Sequence, residues 1–225
     1  MSDVELVVTD DPTPQAAELL ASAARAGGQI ALSGGSTPKP AYELAAQLQP
    51  DWSGVELWWA DDRCVPPDDE RSNYRLVRET LLDRLAQPPS NVHRIQGELE
   101  PEEAARAYDG ELDGITLDLV LLGIGPDGHT ASLFPNAPTL REGERRAVAA
   151  APGLEPFVER VTMTLPTLSS ARLVLFVVSG KEKANAAAGA LAEPPDRSRP
   201  ASLIRSRNGR TLALLDRQAG RHLIE

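Results

Sequence analysis

The sequence LDLVLLGIGPDGHT, residues 117–130, joins an almost unbroken apolar run to a glycine-rich turn. A run such as LDLVLLG, residues 117–123, is typical of a parallel strand that is covered on both faces. The turn that leaves such a strand faces a binding crevice at the carboxyl edge of the sheet. This stretch therefore predicts an α/β fold and also the place of its functional site.

The rest of the chain repeats the same alternation of strand and helix signals. Further strands are predicted near residues 5–9, 29–33, 55–60, 147–151, 160–163, 173–179 and 211–215, and helices over 12–25, 39–47, 72–85 and 101–112. Alternating elements predict a mostly parallel, doubly wound sheet with helices on both faces, as in Rossmann-like folds. A length of 225 residues is within the range of one large α/β domain, so we expect a single domain over residues 1–225.

The turn after this strand contains the first candidate for chemistry, His129, because a histidine imidazole can exchange a proton near neutral pH. Asp127 lies two residues earlier, close enough to orient the imidazole or to stabilise its protonated form. Gly125 and Gly128 permit unusual backbone angles around the pair. The alternative is a tight turn in which the aspartate caps the next segment and the histidine is solvated. The density of glycines favours the catalytic interpretation.

A second glycine turn, SGGSTP at residues 33–38, lies between a predicted strand and a predicted helix. Free backbone N–H groups of Gly34, Gly35, Ser36 and Thr37, two hydroxyl groups and the positive end of the helix dipole would meet there around one anion. The alternative is an ordinary helix cap that needs no ligand. The lysine of nucleotide-binding P-loops and the GxGxxG spacing are both missing, so the predicted anion is a sugar phosphate.

The formal net charge of −10 makes nucleic acid a poor partner, because binding to its backbone requires clustered cations. A site for a phosphorylated sugar must therefore reverse the sign of the field locally. Arg63 follows the strand predicted at 55–60, at the same sheet edge as the two turns, and is the first candidate. The alternative is an ion pair between Arg63 and the carboxylates of Asp61 or Asp62.

Two more cations are candidates for the same cleft. Lys183 lies at the start of a helix after the strand predicted at 173–179, and Lys181 lies in the neighbouring turn. Arg160 precedes another predicted strand, where an arginine on the surface is the alternative. The residues themselves leave the choice between the two lysines open.

The composition favours a cytoplasmic enzyme, and we expect a monomer or small homo-oligomer. No apolar run approaches the ~18 residues needed to span a bilayer, and the acidic start MSDVELVV is unlike a secretory signal, so we expect no membrane partner. A single cysteine, Cys64, excludes an intrachain disulfide and a cysteine-based metal site. Asp127 and His129 alone make a weak metal site, so we expect neither a metal ion nor an organic cofactor.

Five segments resemble the 6-phosphogluconolactonase family in their sequence and in their order along the chain. They are SGGSTP, ADDRCVPPDDERSNY (residues 60–74), GIGPDGHTASLFP (residues 123–135), RVTMTLPTL and SGKEKA, and together they span almost the whole chain. The resemblance implies that Lys183, the lysine directly before an alanine, reaches the phosphate, and that Arg160 contributes there. Asp61 is a further candidate for the site.

The chain is similar, more distantly, to the glucosamine-6-phosphate deaminases. In those enzymes a glutamate stands just before proline in the histidine turn, where this chain has Phe134. They also carry Asp-Glu-Tyr where this chain has Asp61, Asp62 and Arg63. Both differences favour the lactonase over a deaminating isomerase. A non-catalytic sugar-phosphate sensor would be expected if His129 or Asp127 were absent, and both are present.

We therefore expect hydrolysis of a sugar-phosphate lactone, 6-phospho-D-glucono-1,5-lactone, with His129 as the general base that activates a water molecule. Asp127 would steady the imidazolium, and backbone amides of the turn or Arg63 would stabilise the oxyanion. Ser132 follows the histidine closely but lacks the GxSxG elbow of a serine nucleophile.

Overall fold

The computed structural model describes residues 4–192 and 194–223. Its strands are β1 (Val4–Thr9), β2 (Gly28–Leu32), β3 (Val55–Trp59), β4 (Asp61–Arg63), β5 (Asn91–His93), β6 (Leu119–Leu122), β7 (Ala147–Ala150), β8 (Arg160–Met163), β9 (Leu173–Val178) and β10 (Arg210–Asp216). Its α-helices are α1 (Thr13–Ala26), α2 (Lys39–Leu48), α3 (Asn73–Thr80), α4 (Pro101–Glu111), α5 (Leu165–Ser169) and α6 (Ala184–Leu191).

The larger sheet has seven strands in the order β1-β10-β9-β6-β2-β3-β5, and every neighbouring pair is parallel. All four residues of β6 are buried, as its continuous apolar sequence predicts for a central strand. Helices α1, α2 and α3 pack against one another in succession, and α4 packs against β7 and β8. The predicted α/β fold with a mostly parallel sheet and flanking helices is confirmed.

The strands predicted near residues 147–151 and 160–163 are present, but they do not join the large sheet. They are β7 and β8, which pair antiparallel with each other and with β4 in a second sheet of three strands. The chain passes from one sheet to the other at Ala60, whose N–H donates to Leu32 O and whose carbonyl accepts from Met163 N. This small sheet lies beside the carboxyl end of β3 and brings its side chains toward the large sheet.

Arg63 follows β3 in the chain, as the sequence predicts, and lies in the short strand β4. Short polar segments such as Asp61–Arg63 and Asn91–His93 have no apolar pattern of their own, so their strand conformation depends on their partners β8 and β3. The helix predicted over 72–85 ends earlier, at Thr80, and is followed by a 3₁₀ turn over Leu82–Arg84. None of the helices in the two described ranges has the length and hydropathy required to cross a bilayer.

Candidate active site

The candidate site is a cleft of about 700 Å³ at the carboxyl edge of the large sheet. It opens where β2 and β6 lie side by side. After β2 the chain continues to β3 and β5 on one side, and after β6 it continues to β9 and β10 on the other. In open α/β sheets a ligand binds at such a change of direction, because the two outgoing loops separate there.

Most of the predicted site residues lie along this cleft. The lining includes Gly34, Gly35, Ser36, Thr37, Asp61, Arg63, Gly125, His129, Arg160 and Lys183. Asp127 and Gly128 are not part of the lining but belong to the same turn as His129. Lys181, the other lysine considered from the sequence, does not line the cleft. The structure therefore brings the predicted anion turn, the cations and the histidine to one cavity.

His129 and Asp127 form a direct pair. Nδ1 of His129 lies 2.5 Å from Oδ1 of Asp127, and the same carboxylate oxygen accepts the backbone N–H of His129 at 3.1 Å. Burial favours a raised pKa for Asp127, but its hydrogen bond with His129 and the charge of that ring outweigh burial and lower the pKa. With Nδ1 protonated toward the carboxylate, the lone pair of Nε2 is left to accept a proton.

Gly125 and Gly128 are suited to this turn for two different structural reasons. A Cβ atom on Gly125 would lie 2.0 Å from His129 Nδ1, so the imidazole occupies the space that a side chain would need. Gly128 has φ of +84°, a conformation that residues with a side chain rarely adopt. The carbonyl of Gly128 also accepts the backbone N–H of Ala201 at 3.0 Å, which ties the turn to the 3₁₀ helix Pro200–Leu203.

The turn between β2 and α2 has the donors that an anion site needs. In the described part of the chain, no hydrogen bond is made by the backbone N–H groups of Gly35, Ser36 and Thr37. The N-cap of α2 is Pro38, and no side chain caps the helix. The alternative in which a serine or threonine hydroxyl serves only as a cap is therefore not what the structure shows. These N–H groups and the helix N-terminus remain available to an anion.

Arg63 and Arg160 lie opposite each other on neighbouring strands of the small sheet. Nη1 of Arg63 donates to the carbonyl of Arg71 at 2.6 Å and to Oδ1 of Asn73 at 2.8 Å, and Nη2 of Arg160 donates to two backbone carbonyls. Within residues 4–192 and 194–223 neither guanidinium forms an ion pair, and the Nε of each is buried without a partner. The predicted alternative, an ion pair between Arg63 and its neighbouring carboxylates, is absent from this part of the chain.

The guanidiniums of the buried Arg160 and the half-buried Arg63 repel one another. Burial lowers the pKa of Arg160, and the charge of Arg63 lowers it further. An anion placed between the guanidiniums would relieve this repulsion and supply the acceptor that each Nε lacks. The arrangement is therefore suited to a phosphate or carboxylate group.

Lys183 supplies a third cation from the opposite side of the cleft. It is the last residue of the 3₁₀ helix Lys181–Lys183, directly before α6. Burial lowers its pKa, while the charges of Glu182 and Asp127 act in the other direction. Its ammonium group thus lies within electrostatic range of the histidine pair.

Asp61 is held by a residue to which the sequence analysis gave no role. Oγ of Ser132 donates to Oδ2 of Asp61 at 2.6 Å, and both residues are buried. The backbone N–H of Ser132 donates to Thr162 Oγ1 at 3.3 Å. The serine therefore links the histidine segment to the small sheet, a contact that no local motif could indicate because its partners lie far away in the sequence.

Phe134 lies beside the catalytic candidate. Its ring centroid is 5.0 Å from that of His129, and Arg160 Cζ lies 5.4 Å from the same centroid. The ring is buried and has little space around it, because a Cβ atom on Gly153 would lie 2.4 Å from its carbon atoms. This position therefore presents an aromatic wall to the histidine in place of a carboxylate.

The other titratable groups considered from the sequence are structural or peripheral. Burial raises the pKa of the Cys64 thiol to about 11, so the thiol is protonated near neutral pH. His93 stacks on Trp58 at 3.8 Å and lies between the carboxylates of Glu56 and Glu111. No cluster of three or more metal-binding side chains is present in the part of the chain that the structure describes.

Sequence comparison relates the chain to known proteins over nearly its whole length. Residues 8–213 match the family model described as glucosamine-6-phosphate isomerases/6-phosphogluconolactonase. The chain is 39% identical over 214 residues to a 6-phosphogluconolactonase from Synechocystis sp., covering 90% of this chain and 88% of that protein. It is 39% identical over 221 residues to one from Homo sapiens, covering 93% of this chain and 86% of that protein.

Solved structures give a consistent result. A 6-phosphogluconolactonase from Thermotoga maritima is similar with a TM-score of 0.83 at 30% identity, covering 95% of this chain and 100% of that one. A 6-phosphogluconolactonase from Trypanosoma cruzi has a TM-score of 0.86 at 28% identity, covering 100% of this chain and 99% of that one. A monomeric glucosamine-6-phosphate deaminase has a TM-score of 0.83 at 22% identity, covering 97% and 99%, and this similarity concerns the fold alone.

Proposed function

The chain belongs to the family of glucosamine-6-phosphate isomerases and 6-phosphogluconolactonases, and we propose that it hydrolyses 6-phospho-D-glucono-1,5-lactone to 6-phospho-D-gluconate. This reaction is a step of the oxidative pentose phosphate pathway. The relatives that support this choice carry the name 6-phosphogluconolactonase, at 35–40% identity. The aromatic ring of Phe134 beside His129 supports the same choice over a deaminating isomerase.

One observation carries the proposal: His129 and the anion-binding turn line the same cleft. A lactone phosphate has an anionic group at one end and an electrophilic carbonyl at the other. Anchoring the anion fixes the carbonyl near the base, so that binding energy far from the reacting bond contributes to the rate.

In the proposed complex the phosphate is held by the backbone N–H groups of Gly34, Gly35, Ser36 and Thr37. The hydroxyl groups of Ser36 and Thr37 add two further hydrogen bonds. Arg63, Arg160 and Lys183 supply the positive charge. The two guanidiniums suit this role because each has a buried Nε without a partner. Charge-assisted hydrogen bonds of this kind contribute about 1.5–3 kcal/mol each.

His129 then accepts a proton from a water molecule, and the water oxygen attacks C1 of the lactone. Asp127 stabilises the imidazolium through the contact at Nδ1. Backbone amides of the glycine turn stabilise the oxyanion of the tetrahedral intermediate. When the bond from C1 to the ring oxygen breaks, the imidazolium returns the proton to that oxygen, which leaves a carboxylic acid and a free hydroxyl group.

The test is hydrolysis of freshly prepared 6-phosphogluconolactone, followed by acid release in a pH-stat and corrected for the spontaneous reaction. We expect a rate above background that is proportional to protein concentration and unchanged by EDTA, because the proposed steps use side chains alone. No acceleration over background would reject the proposal.

A parallel assay separates the two activities of the family. The protein is incubated with glucosamine-6-phosphate, and ammonia is measured with glutamate dehydrogenase. We expect no ammonia above the blank, because the acidic side chain of the deaminase turn is replaced by Phe134. Ammonia release without lactone hydrolysis would assign the chain to the deaminases.

A further inference from the structure

Asn73 is a buried residue at the start of α3 that the sequence analysis did not single out. It is 2% exposed, and it lines the cleft together with Arg63, Asp61 and Gly34. Both ends of its amide group are used. Nδ2 donates to the carbonyl of Asp61 at 2.8 Å, and Oδ1 accepts from Nη1 of Arg63 at 2.8 Å. The orientation of the amide is thus set by one donor and one acceptor.

The backbone of Asn73 is fixed as well. Its N–H donates to Oδ1 of Asp62 at 2.6 Å, and that carboxylate also accepts the N–H groups of Arg63 and Tyr74. Asp62 is itself buried. The amide of Asn73 therefore projects from a rigid support, and a residue held in this way can hold another in place.

The contact with Arg63 determines which edge of the guanidinium is free. Nη1 has two acceptors, Asn73 Oδ1 and the carbonyl of Arg71, whereas Nε is buried without a partner. Nε and Nη2 form the side of a guanidinium that binds a phosphate or carboxylate with two parallel hydrogen bonds. With the guanidinium held by Nη1, the side formed by Nε and Nη2 has no protein acceptor among the described residues.

Asn73 also touches the anion-binding turn. A Cβ atom on Gly34 would lie 1.8 Å from Asn73 Oδ1, so the amide packs directly against the glycine backbone. One side chain thus contacts both the turn and the arginine that are assigned to the phosphate. The separation between these two anion-binding groups depends on this side chain.

We propose that Asn73 is a positioning residue, which orients the Arg63 guanidinium toward the bound anion and sets its distance from the turn at Gly34. This inference rests on the proposed function, because it takes the anion to be the phosphate of the substrate. Asn73 acts through Arg63, so its removal matters only while Arg63 is present.

The test is a double-mutant cycle with Asn73→Ala, Arg63→Ala and the double variant. Binding of 6-phosphogluconate is measured by calorimetry, and kcat and KM are measured with the lactone. Losing the orientation of one charge-assisted contact corresponds to a Kd that rises about 10- to 100-fold. We expect this rise for Asn73→Ala, a parallel rise in KM and a kcat within about threefold of the wild type. In the Arg63→Ala background, Asn73→Ala should change Kd by less than about twofold.

The control is Thr80→Ala at the other end of the same helix, which removes the hydrogen bond from Thr80 Oγ1 to the carbonyl of Leu76 at 2.7 Å. It should lower Tm and leave the Kd of 6-phosphogluconate unchanged. Should Asn73→Ala fail to fold, Asn73→Ser goes through the same cycle, because a serine suits the first turn of a helix.

If Asn73→Ala raises Kd by the same factor in the wild type and in the Arg63→Ala variant, the inference is overturned. Additive effects would mean that Asn73 acts independently of Arg63. An unchanged Kd in Asn73→Ala would overturn it too, as would loss of folding in both variants. A wild-type protein that neither binds 6-phosphogluconate nor hydrolyses the lactone would contradict the proposed function instead. The two failures are therefore distinguishable.

Discussion

His129 is the residue on which the proposed chemistry depends. Its ring lines the cleft, is held by Asp127 at Nδ1 and is flanked by Phe134. No other histidine in the described residues lines that cleft, because His93 stacks on Trp58 and His222 contacts Arg221. A general base contributes a factor of about 10²–10⁴ to the rate of a reaction.

The His129→Ala variant should therefore lose at least about 100-fold in kcat, because the attacking water has no base. The anion-binding groups are untouched, so the Kd of 6-phosphogluconate should stay within about threefold of the wild type. His222→Ala is the matched control and should keep full activity. Turnover by His129→Ala at the wild-type rate would remove His129 from the mechanism.

The Asp127→Asn variant tests the partner of the histidine. An amide keeps a similar shape, but it has no charge with which to stabilise an imidazolium. We expect kcat to fall by about tenfold or more with KM little changed, as measured with the lactone in initial-rate assays. A change in KM alone would mean that the carboxylate acts on binding and not on the proton transfer.

The sequence could predict those site residues that belong to a short local motif. Asp127 and His129 stand in one glycine-rich turn, and the anion site stands in another, so both could be predicted from composition and position. Ser132 and Asn73 could not. Their importance depends on Asp61 and Arg63, which reach them only through the fold, and a buried hydrogen bond between distant residues has no sequence pattern.

The turn that follows β6 is the element that places the histidine, and its shape depends on the lack of a side chain at Gly125. In Gly125→Ala the new methyl group would displace the imidazole from its position. Because displacement by about 1 Å can cost a factor of about 100, we expect kcat to fall by that order while far-UV circular dichroism is unchanged.

Gly143→Ala is the matched control for this change. No heavy atom lies within 4 Å of the place its Cβ would occupy. It should retain the wild-type kcat. Full activity in Gly125→Ala would show that the imidazole position is not set by this close approach.

The short strand β4 has a titratable group of its own, the carboxylate of Asp62. Burial raises its pKa from 3.8 to about 6, even though three backbone N–H groups donate to it and oppose the shift. In the unfolded chain the same group loses its proton near the lower value. Between about pH 4 and pH 6 the folded state therefore binds more protons than the unfolded state, so this group's contribution to the free energy of unfolding decreases as the pH rises.

The Asp62→Asn variant removes this titration. The difference in unfolding free energy between wild type and Asp62→Asn should decrease from about pH 4 to pH 6 and stay constant above that range. Urea unfolding followed by the fluorescence of the buried tryptophans, Trp52, Trp58 and Trp59, measures it. A difference that grows over the same interval would contradict the assigned direction.

The secondary structure elements with an apolar pattern could be predicted from the sequence, and those without one could not. The central strands β2, β6, β9 and β10 are apolar runs, and each was predicted within two residues of its bounds. Strands β4 and β5 are three residues each, and their conformation comes from pairing. The sequence could not predict that β7 and β8 form a separate sheet, because their residue pattern resembles that of strands in the large sheet. Their place depends on tertiary contacts.

The molecule as a whole brings three cations, Arg63, Arg160 and Lys183, to one cleft of a protein with a net charge of −10. Arg63 and Arg160 come from the small sheet, whereas Lys183 and the anion-binding turn come from the large one. The chain passes from one sheet to the other at Ala60, whose backbone is hydrogen-bonded to Leu32 and to Met163. We therefore expect the protein to recognise a substrate with an anion at one end and a reactive carbonyl at the other.

The most direct test of this claim compares the kcat/KM of the wild-type protein for 6-phosphogluconolactone with that for gluconolactone, which lacks the phosphate. Two or more charge-assisted contacts of about 1.5–3 kcal/mol each predict a preference of at least about 100-fold for the phosphorylated lactone. Equal kcat/KM values for the two lactones would contradict the account, because the anion site and the histidine would then not act on the same bound molecule.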